Sequence, residues 1–182
     1  MKHTLLFSFI FTIAVAGFGQ NRTGNFEMST KREGHTAVLS FTVNNFEPSE
    51  HEIVGLDTCH NNFRAVKIDG KSPLGTSFCD MPDEEIQAMK LVFDGKEVNI
   101  PKDLYADCYS PPFYGTDNIS RYFAIRIGDD FKSLFVFMDG GDGSGSYQVI
   151  WILRPDGNHS RLTDLLDCQF IDFSRICQDE DQ

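Results

Sequence analysis

Apolar and polar positions alternate in short runs along this chain, and turn-forming residues separate the runs. The longest pair of runs, residues 131–138 and 146–154, is rich in β-branched and aromatic side chains. Between them lies Asp139-Gly-Gly-Asp-Gly-Ser-Gly145, in which four of seven residues are glycine. Branched and aromatic side chains suit a pleated surface, and glycine reaches the positive φ of a reversal, so the pattern predicts a β-hairpin at the centre of the core. Residues 121–127 and 158–162 extend it to a meander, with turns at Gly128-Asp129-Asp130 and Pro155-Asp156-Gly157 at the sheet end opposite the glycine loop.

Upstream, residues 36–43 read as the first strand, broken by Asn44-Asn45 and by Glu47-Pro48-Ser49-Glu50. Ile53 and Val54 begin another strand. Residues 63–68 alternate, Asp69-Gly70 reverses the chain, and residues 76–79 return beside them. Residues 80–89 carry helix marks: Asp80 as cap, Pro82 in the first turn, and Asp83, Glu84 and Glu85 at the positive end. Residues 90–93, Asp94-Gly95 and residues 97–100 form a short hairpin with a type I′ turn. Single helical turns are expected at 102–107 and 162–166. Residues 20–31 are expected to fray. Phe170, Ile171, Phe173 and Ile176 suggest that the C-terminal segment packs back on the core before an acidic tail. There is no sequence repeat.

The sum is a mainly β fold, an antiparallel sandwich or barrel-like body with one or two short helices. Apolar residues on both faces of 147–153 imply cover on both sides of that sheet.

Compartment changes the picture more than composition does. Lys2 and His3 precede an apolar run from Leu5 to Ala16, and Gly17 and Gly19 stand at −3 and −1 of a cut before Gln20. This is the pattern of a secretory signal peptide over 1–19, and it predicts a periplasmic or extracellular product, residues 20–182, in one β-rich domain. The run is shorter than the ~20 residues that cross a bilayer, so no membrane insertion is expected. Lys2 is the only formal charge removed, leaving 15 basic against 27 acidic side chains, so the balance moves from −11 to −12. That field opposes nucleic acid and anionic lipid and favours a protein or surface ligand of basic character.

Five cysteines remain in the mature chain: Cys59, Cys79, Cys108, Cys168 and Cys177. Export favours pairing, with one thiol left over, buried and inert. Cys59 and Cys79 stand about equally far from Asp69-Gly70 and form the preferred disulfide, on the premise that this turn closes a hairpin. No C-x-x-C supports a dithiol or zinc ribbon.

The candidate chemistry gathers at the glycine loop. Exposed backbone N–H groups there suit an anion, while Asp139, Asp142 and Ser144 offer oxygens to Ca²⁺. The residues assigned to binding are Asp139, Asp142, Ser144 and Tyr147, with Asp139 and Asp142 as the metal ligands if Ca²⁺ binds. The loop also reads as a partner-facing surface or as a permissive turn. No cofactor is required by any motif: the alternate acids of an EF-hand are missing, and Gly145 stands where a calcium-binding β-roll has aspartate. Ser144 and Ser146 each fail the Gly-x-Ser-x-Gly elbow, and Gly70-Lys71-Ser72 lacks the first glycine of a phosphate loop. Cys59-His60 could pair, but His35, His51 and His159 lack the spacing of a helical zinc site. No catalytic residue is assigned.

Two segments, Phe93-Asp-Gly-Lys-Glu-Val-Asn-Ile-Pro101 and Gly140-Gly-Asp-Gly-Ser-Gly-Ser-Tyr147 with Trp151, resemble patterns in exported bacterial proteins. The Gly19–Gln20 junction is similar to signal-peptide cuts common in the Bacteroidetes. The resemblance implies export and carries no activity, so no functional residue follows from it. The expectation is a non-enzymatic binding module that works through loops at the sheet ends. The alternative is a secreted hydrolase or carbohydrate-active protein whose carboxylates converge only in the fold.

Overall fold

The structure is a computed structural model and describes residues 23–59, 62–76, 81–113, 122–141 and 145–165. Ten strands run through these residues: β1 (Gly24–Arg32), β2 (His35–Asn45), β3 (Ile53–Cys59), β4 (Asn62–Ile68), β5 (Glu84–Phe93), β6 (Lys96–Val98), β7 (Phe123–Ile127), β8 (Leu134–Gly140), β9 (Tyr147–Leu153) and β10 (Ser160–Leu165). They form two four-stranded antiparallel sheets, ordered β1-β2-β5-β6 and β10-β9-β8-β7, and a two-stranded arm, β3-β4. Two three-residue 3-10 turns, Pro48–Glu50 and Lys102–Leu104, are the only named helical elements among the described residues. The mainly β fold is as the alternating pattern requires.

One core lies between the two sheets. Leu39, Phe41 and Leu91 from the first meet Val136, Val149 and Trp151 from the second, all at 1% exposure or less. Trp151 is fully buried, and its indole N–H donates to Leu104 O at 2.8 Å. At one side β1 lies beside β7, where Arg32 Nη1 donates to Ile127 O at 2.9 Å. At the other, Arg161 of β10 grips Asp107 with both Nη atoms, at 2.5 and 2.8 Å. One margin is thus bridged sheet to sheet, and the other through the connection that follows β6.

The hairpin of β8 and β9 stands where expected, paired from Leu134↔Leu153 to Gly140↔Tyr147. The meander through β10 also holds, and the 94–95 turn has φ of +48° and +76°.

Four expectations are corrected. Residues 24–32 do not fray: they form β1, because Phe26 stacks on Phe113 at 4.3 Å and Glu33-Gly34 makes a tight reversal with φ of +48° and +87°. Residues 84–89 are strand rather than helix. Thr42 pairs with Ala88 and Val43 with Ile86, so Gln87 is an extra residue in a β-bulge. The bulge puts Ile86 and Met89 on the same inward face three positions apart, and this imitates a helical period. Residues 162–165 likewise continue β10 against β9 instead of turning. Finally, β4 pairs with β3, which precedes it; residues 77–79 of the expected return strand lie outside the described residues. Asp69-Gly70 does reverse the chain, with φ of +50° and +79°, but only the single bridge Ile68↔Lys71 follows before Pro73. The hairpin premise for a Cys59–Cys79 bridge therefore falls; Cys79 itself lies outside the described residues, as do Cys168 and Cys177.

Candidate functional site

The ends of this body are unlike each other. At one, four tight turns (33–34, 94–95, 128–132 and 155–157) close neighbouring strands. At the other lie the β3-β4 arm, Lys71–Thr76, Asp83, residues 108–113 and the paired ends of β8 and β9. A rigid sheet with such segments gathered at one end is the usual arrangement for recognition.

Tyr109 and Ser110 tie this end together. Tyr109 N donates to Leu74 O at 2.9 Å, Ser110 N to Glu84 O at 2.9 Å, and Gly141 N to Ser110 O at 2.9 Å. The Tyr147 ring is fully buried and its hydroxyl donates to Tyr109 O at 3.0 Å. A Cβ on Gly75 would stand 2.2 Å from Tyr109 O and 2.7 Å from the Tyr147 ring; one on Gly140 would stand 2.6 Å from that ring. Glycine here is a packing requirement, since backbone and aromatic ring leave no room for a side chain.

Of the residues singled out in the glycine loop, Asp139 and Tyr147 belong to strands, and Asp142 and Ser144 lie outside the described residues. Tyr147 points into the core. Asp139 lies on the outward face of its sheet, where burial raises its carboxyl above the usual carboxylate range and a hydrogen bond with Gln148 partly opposes this. Among the described residues no group of three His, Cys, Asp or Glu side chains is placed to hold a metal ion.

A different cluster, spread over four distant parts of the sequence, sits at the base of the arm. His51 has a side-chain exposure of 8%. Its Nδ1 stands 2.7 Å from Asp69 Oδ2 and its Nε2 3.3 Å from Glu85 Oε2, without hydrogen-bond alignment to the latter. The ring stacks on Phe46 at 4.6 Å, and Tyr109 packs edge-on against the same Phe46. The His51 hydrogen bond, with another from Glu52 N at 2.9 Å, holds the Asp69 carboxyl below its ordinary range. Burial first, then the Asp69 and Glu85 charges, pushes the Tyr109 hydroxyl well up.

Half of this cluster is a device the fold uses twice. His35 Nδ1 stands 2.7 Å from Asp94 Oδ2, Thr36 N donates to Asp94 Oδ1 at 2.8 Å, and Asp94 N donates back to Thr36 O at 2.8 Å. His51, Glu52 and Asp69 repeat these three contacts at 2.7, 2.9 and 2.9 Å. In each case a histidine at a strand entrance clamps the aspartate of an Asp-Gly-Lys turn. The signal was present in the sequence as Asp69-Gly-Lys71 and Asp94-Gly-Lys96, each turn facing a histidine many residues earlier. The clamp is therefore a turn lock, and the second carboxylate, Glu85, is what distinguishes the arm base.

The arm itself presents Val54 and Val66 at 48% and 47% exposure. Glu47, Glu50 and Glu52 stand exposed on the segment that leads into it, and Asp83 on the segment that leaves it. Away from this end, an open groove crosses the outward face of the first sheet between Glu27 and Lys90, floored by the small side chains of Ser40, Thr42 and Ala88. Cys108 is the described free cysteine, 1% exposed, and burial pushes its thiol up to about 12, so it is unreactive at neutral pH. No helix among the described residues is long and apolar enough to cross a membrane. In comparisons with known proteins the chain matches no family model, no curated protein and no solved structure.

Proposed function

We propose that this is an exported, non-enzymatic recognition domain that binds a basic protein partner with the β3-β4 arm. The observation that carries the reading is the arm's composition: two exposed valines, Val54 and Val66, on a hairpin whose flanking segments carry the exposed Glu47, Glu50, Glu52 and Asp83 and whose base is clamped by His51. Exposed apolar groups supply contact area, and an acidic rim steers a cationic partner and fixes its orientation. The mature net charge of −12 acts in the same direction. A basic enzyme that attacks the cell envelope, such as a lysozyme, has the chemistry such a surface would take.

The test is a calorimetric titration of the mature chain with a lysozyme at low and at physiological salt. Binding should weaken as salt rises, should be lost in Val54→Asp/Val66→Asp, and should survive Asp156→Lys at the opposite end. Equal loss from both variants, or no binding at low salt, would overturn the arm as the site. The competing hydrolase reading predicts turnover on a panel of glycan, ester and peptide substrates that Glu85→Gln abolishes.

A further inference from the structure

An Asp-Gly pair is where a protein chain rearranges most readily, because glycine puts no Cβ in the way of the preceding aspartate side chain. The pairs in this chain are 69–70, 94–95, 139–140, 142–143 and 156–157, of which 142–143 lies outside the described residues. The fold holds the other four in unlike ways.

Asp69 and Asp94 are fixed at both carboxylate oxygens. Glu52 N and His51 Nδ1 hold the first, and Thr36 N and His35 Nδ1 the second. Lack of water does not protect them, since their side chains are 52% and 40% exposed. Asp139 is fixed through its backbone: it pairs with Gln148, and Gly140 with Tyr147, inside the β8-β9 ladder. Asp156 stands exposed in the turn after β9. Its Oδ1 accepts from Asn158 N at 2.9 Å, and Gly157 N donates to Arg154 O at 3.0 Å, so both restraints are local to the turn. Gly157 has φ +81° and open space where a Cβ would stand, so no packing resists a change of backbone path there.

We propose that Asp156-Gly157 is a site of spontaneous isomerisation to isoaspartate, and that the two histidine clamps shield Asp69-Gly70 and Asp94-Gly95 from the same reaction. The only reagent is water. Gly157 N attacks Cγ of the neutral Asp156 carboxyl, the carboxyl hydroxyl leaves as water with the amide proton, and a cyclic imide closes. Water then opens the ring. Opening at Cγ returns aspartate; opening at the α-carbonyl leaves the chain running through Cγ, with an added main-chain methylene and a free α-carboxylate.

Ring closure requires the carboxyl to swing toward the following nitrogen, so a bond that fixes the carboxylate to a distant residue slows it, by ~10-fold or more for a charge-assisted bond. The clamps act a second time through charge. The His51 bond foremost at Asp69, and the Thr36 N bond foremost at Asp94, hold these carboxyls below the usual aspartate range, so less of the reactive neutral form is present. This protection is common to both clamps and separate from binding by the arm. Isomerisation at Asp156 would lengthen the turn that carries His159, whose Nε2 donates to Asn99 O at 2.8 Å, and so would loosen a tie between the start of β10 and the segment after β6.

The experiment is prolonged warm incubation of the folded chain in heavy-oxygen water at neutral pH, followed by peptide mapping by mass spectrometry. Each ring opening leaves one heavy oxygen on aspartate or isoaspartate, so both products are counted at every pair. Label should enter Asp156 ~10-fold or more faster than Asp69, Asp94 or Asp139. In His35→Ala, with the fold checked by Trp151 fluorescence, entry at Asp94 should quicken by ~10-fold while Asp69 stays slow. In urea, with the clamps gone, Asp69, Asp94 and Asp156 should react at similar rates. Entry at Asp69 or Asp94 of the folded chain as fast as at Asp156 would overturn the proposal. So would an unchanged rate at Asp94 in folded His35→Ala, or the folded ranking persisting in urea, which would place the difference in local sequence rather than in the fold.

Discussion

Gly75→Ala is the sharpest probe of the end of the body that carries the arm. Gly75 has φ +85°, and the added Cβ would meet a carbonyl oxygen at 2.2 Å and the Tyr147 ring at 2.7 Å. The left-handed backbone costs a non-glycine residue ~1–2 kcal/mol. Overpacking adds ~1–3 kcal/mol, toward the upper figure here because the Tyr109 carbonyl is backbone and cannot rotate away. Gly157→Ala is the matched control: its φ is +81°, and a Cβ there meets nothing within 4 Å. Only the backbone cost applies, so the variants should differ by ~2–3 kcal/mol. For a mature chain of this size ~1 kcal/mol moves the melting midpoint by about 2–4 °C, so Gly75→Ala should melt roughly 4–12 °C below Gly157→Ala. Fluorescence of the single, fully buried Trp151 reports the transition. Midpoints within about 2 °C of each other would refute the close packing of Leu74-Gly75 against Tyr109 and Tyr147.

Four further outcomes follow from other groups in the fold. Arg161→Met leaves Asp107, 7% exposed, as a buried carboxylate without its bidentate partner, and should cost ~3 kcal/mol in chemical unfolding. Asp139→Asn should raise the melting midpoint at pH 7. Its folded pKa lies above the ordinary aspartate range, so ionisation opposes folding as pH rises through that raised value, and the gain from Asn should vanish at lower pH. Asp69 and Asp94 have the opposite sign: their hydrogen-bonded carboxyls titrate below 3.8, so the stability they lend is full above that pH and disappears as pH falls through the lowered value, an acid limb that Asp69→Asn should shorten. If the four cysteines besides Cys108 pair after export, thiol titration of the mature protein should find no reactive group when folded and one when unfolded without reductant.

The sheet was legible wherever the pattern was local. Residues 131–154 announce their hairpin because alternation, branched side chains and a glycine loop agree, and Asp94-Gly95 announces its own for the same reason. The misreadings share a cause: each needed a distant partner. The β1 strand is half-exposed along its length and looks like a polar terminus until Phe113, 87 positions beyond Phe26, supplies a ring to stack on. The β5 strand looks helical until β2 imposes the bulge at Gln87. Asp69-Gly70 looks like the tip of a hairpin because nothing in residues 62–68 says that their partner precedes them.

The two His–Asp clamps show why the site was harder to read than the fold. Their hydrogen bonds match within about 0.1 Å, so the histidine–aspartate contact by itself says nothing about function. Their surroundings separate them. His35 is partly exposed, stacks on Phe131 and closes a turn at the end where all connections are tight. His51 is buried, has Glu85 against its far nitrogen, and closes the base of the hairpin that exposes Val54 and Val66. A clamp that only locked a turn would do as well with water at Nε2, as its twin allows. Burying a second carboxylate there ties the arm to β5 as well as to its own turn, a restraint on the hairpin of the kind the proposed binding role would use. Glu85→Gln should therefore leave the Asp69 turn intact while loosening the arm, seen as faster amide exchange confined to β3 and β4. Unchanged exchange in the arm would mean that Glu85 is a bystander and that the Asp69 bond alone fixes the hairpin.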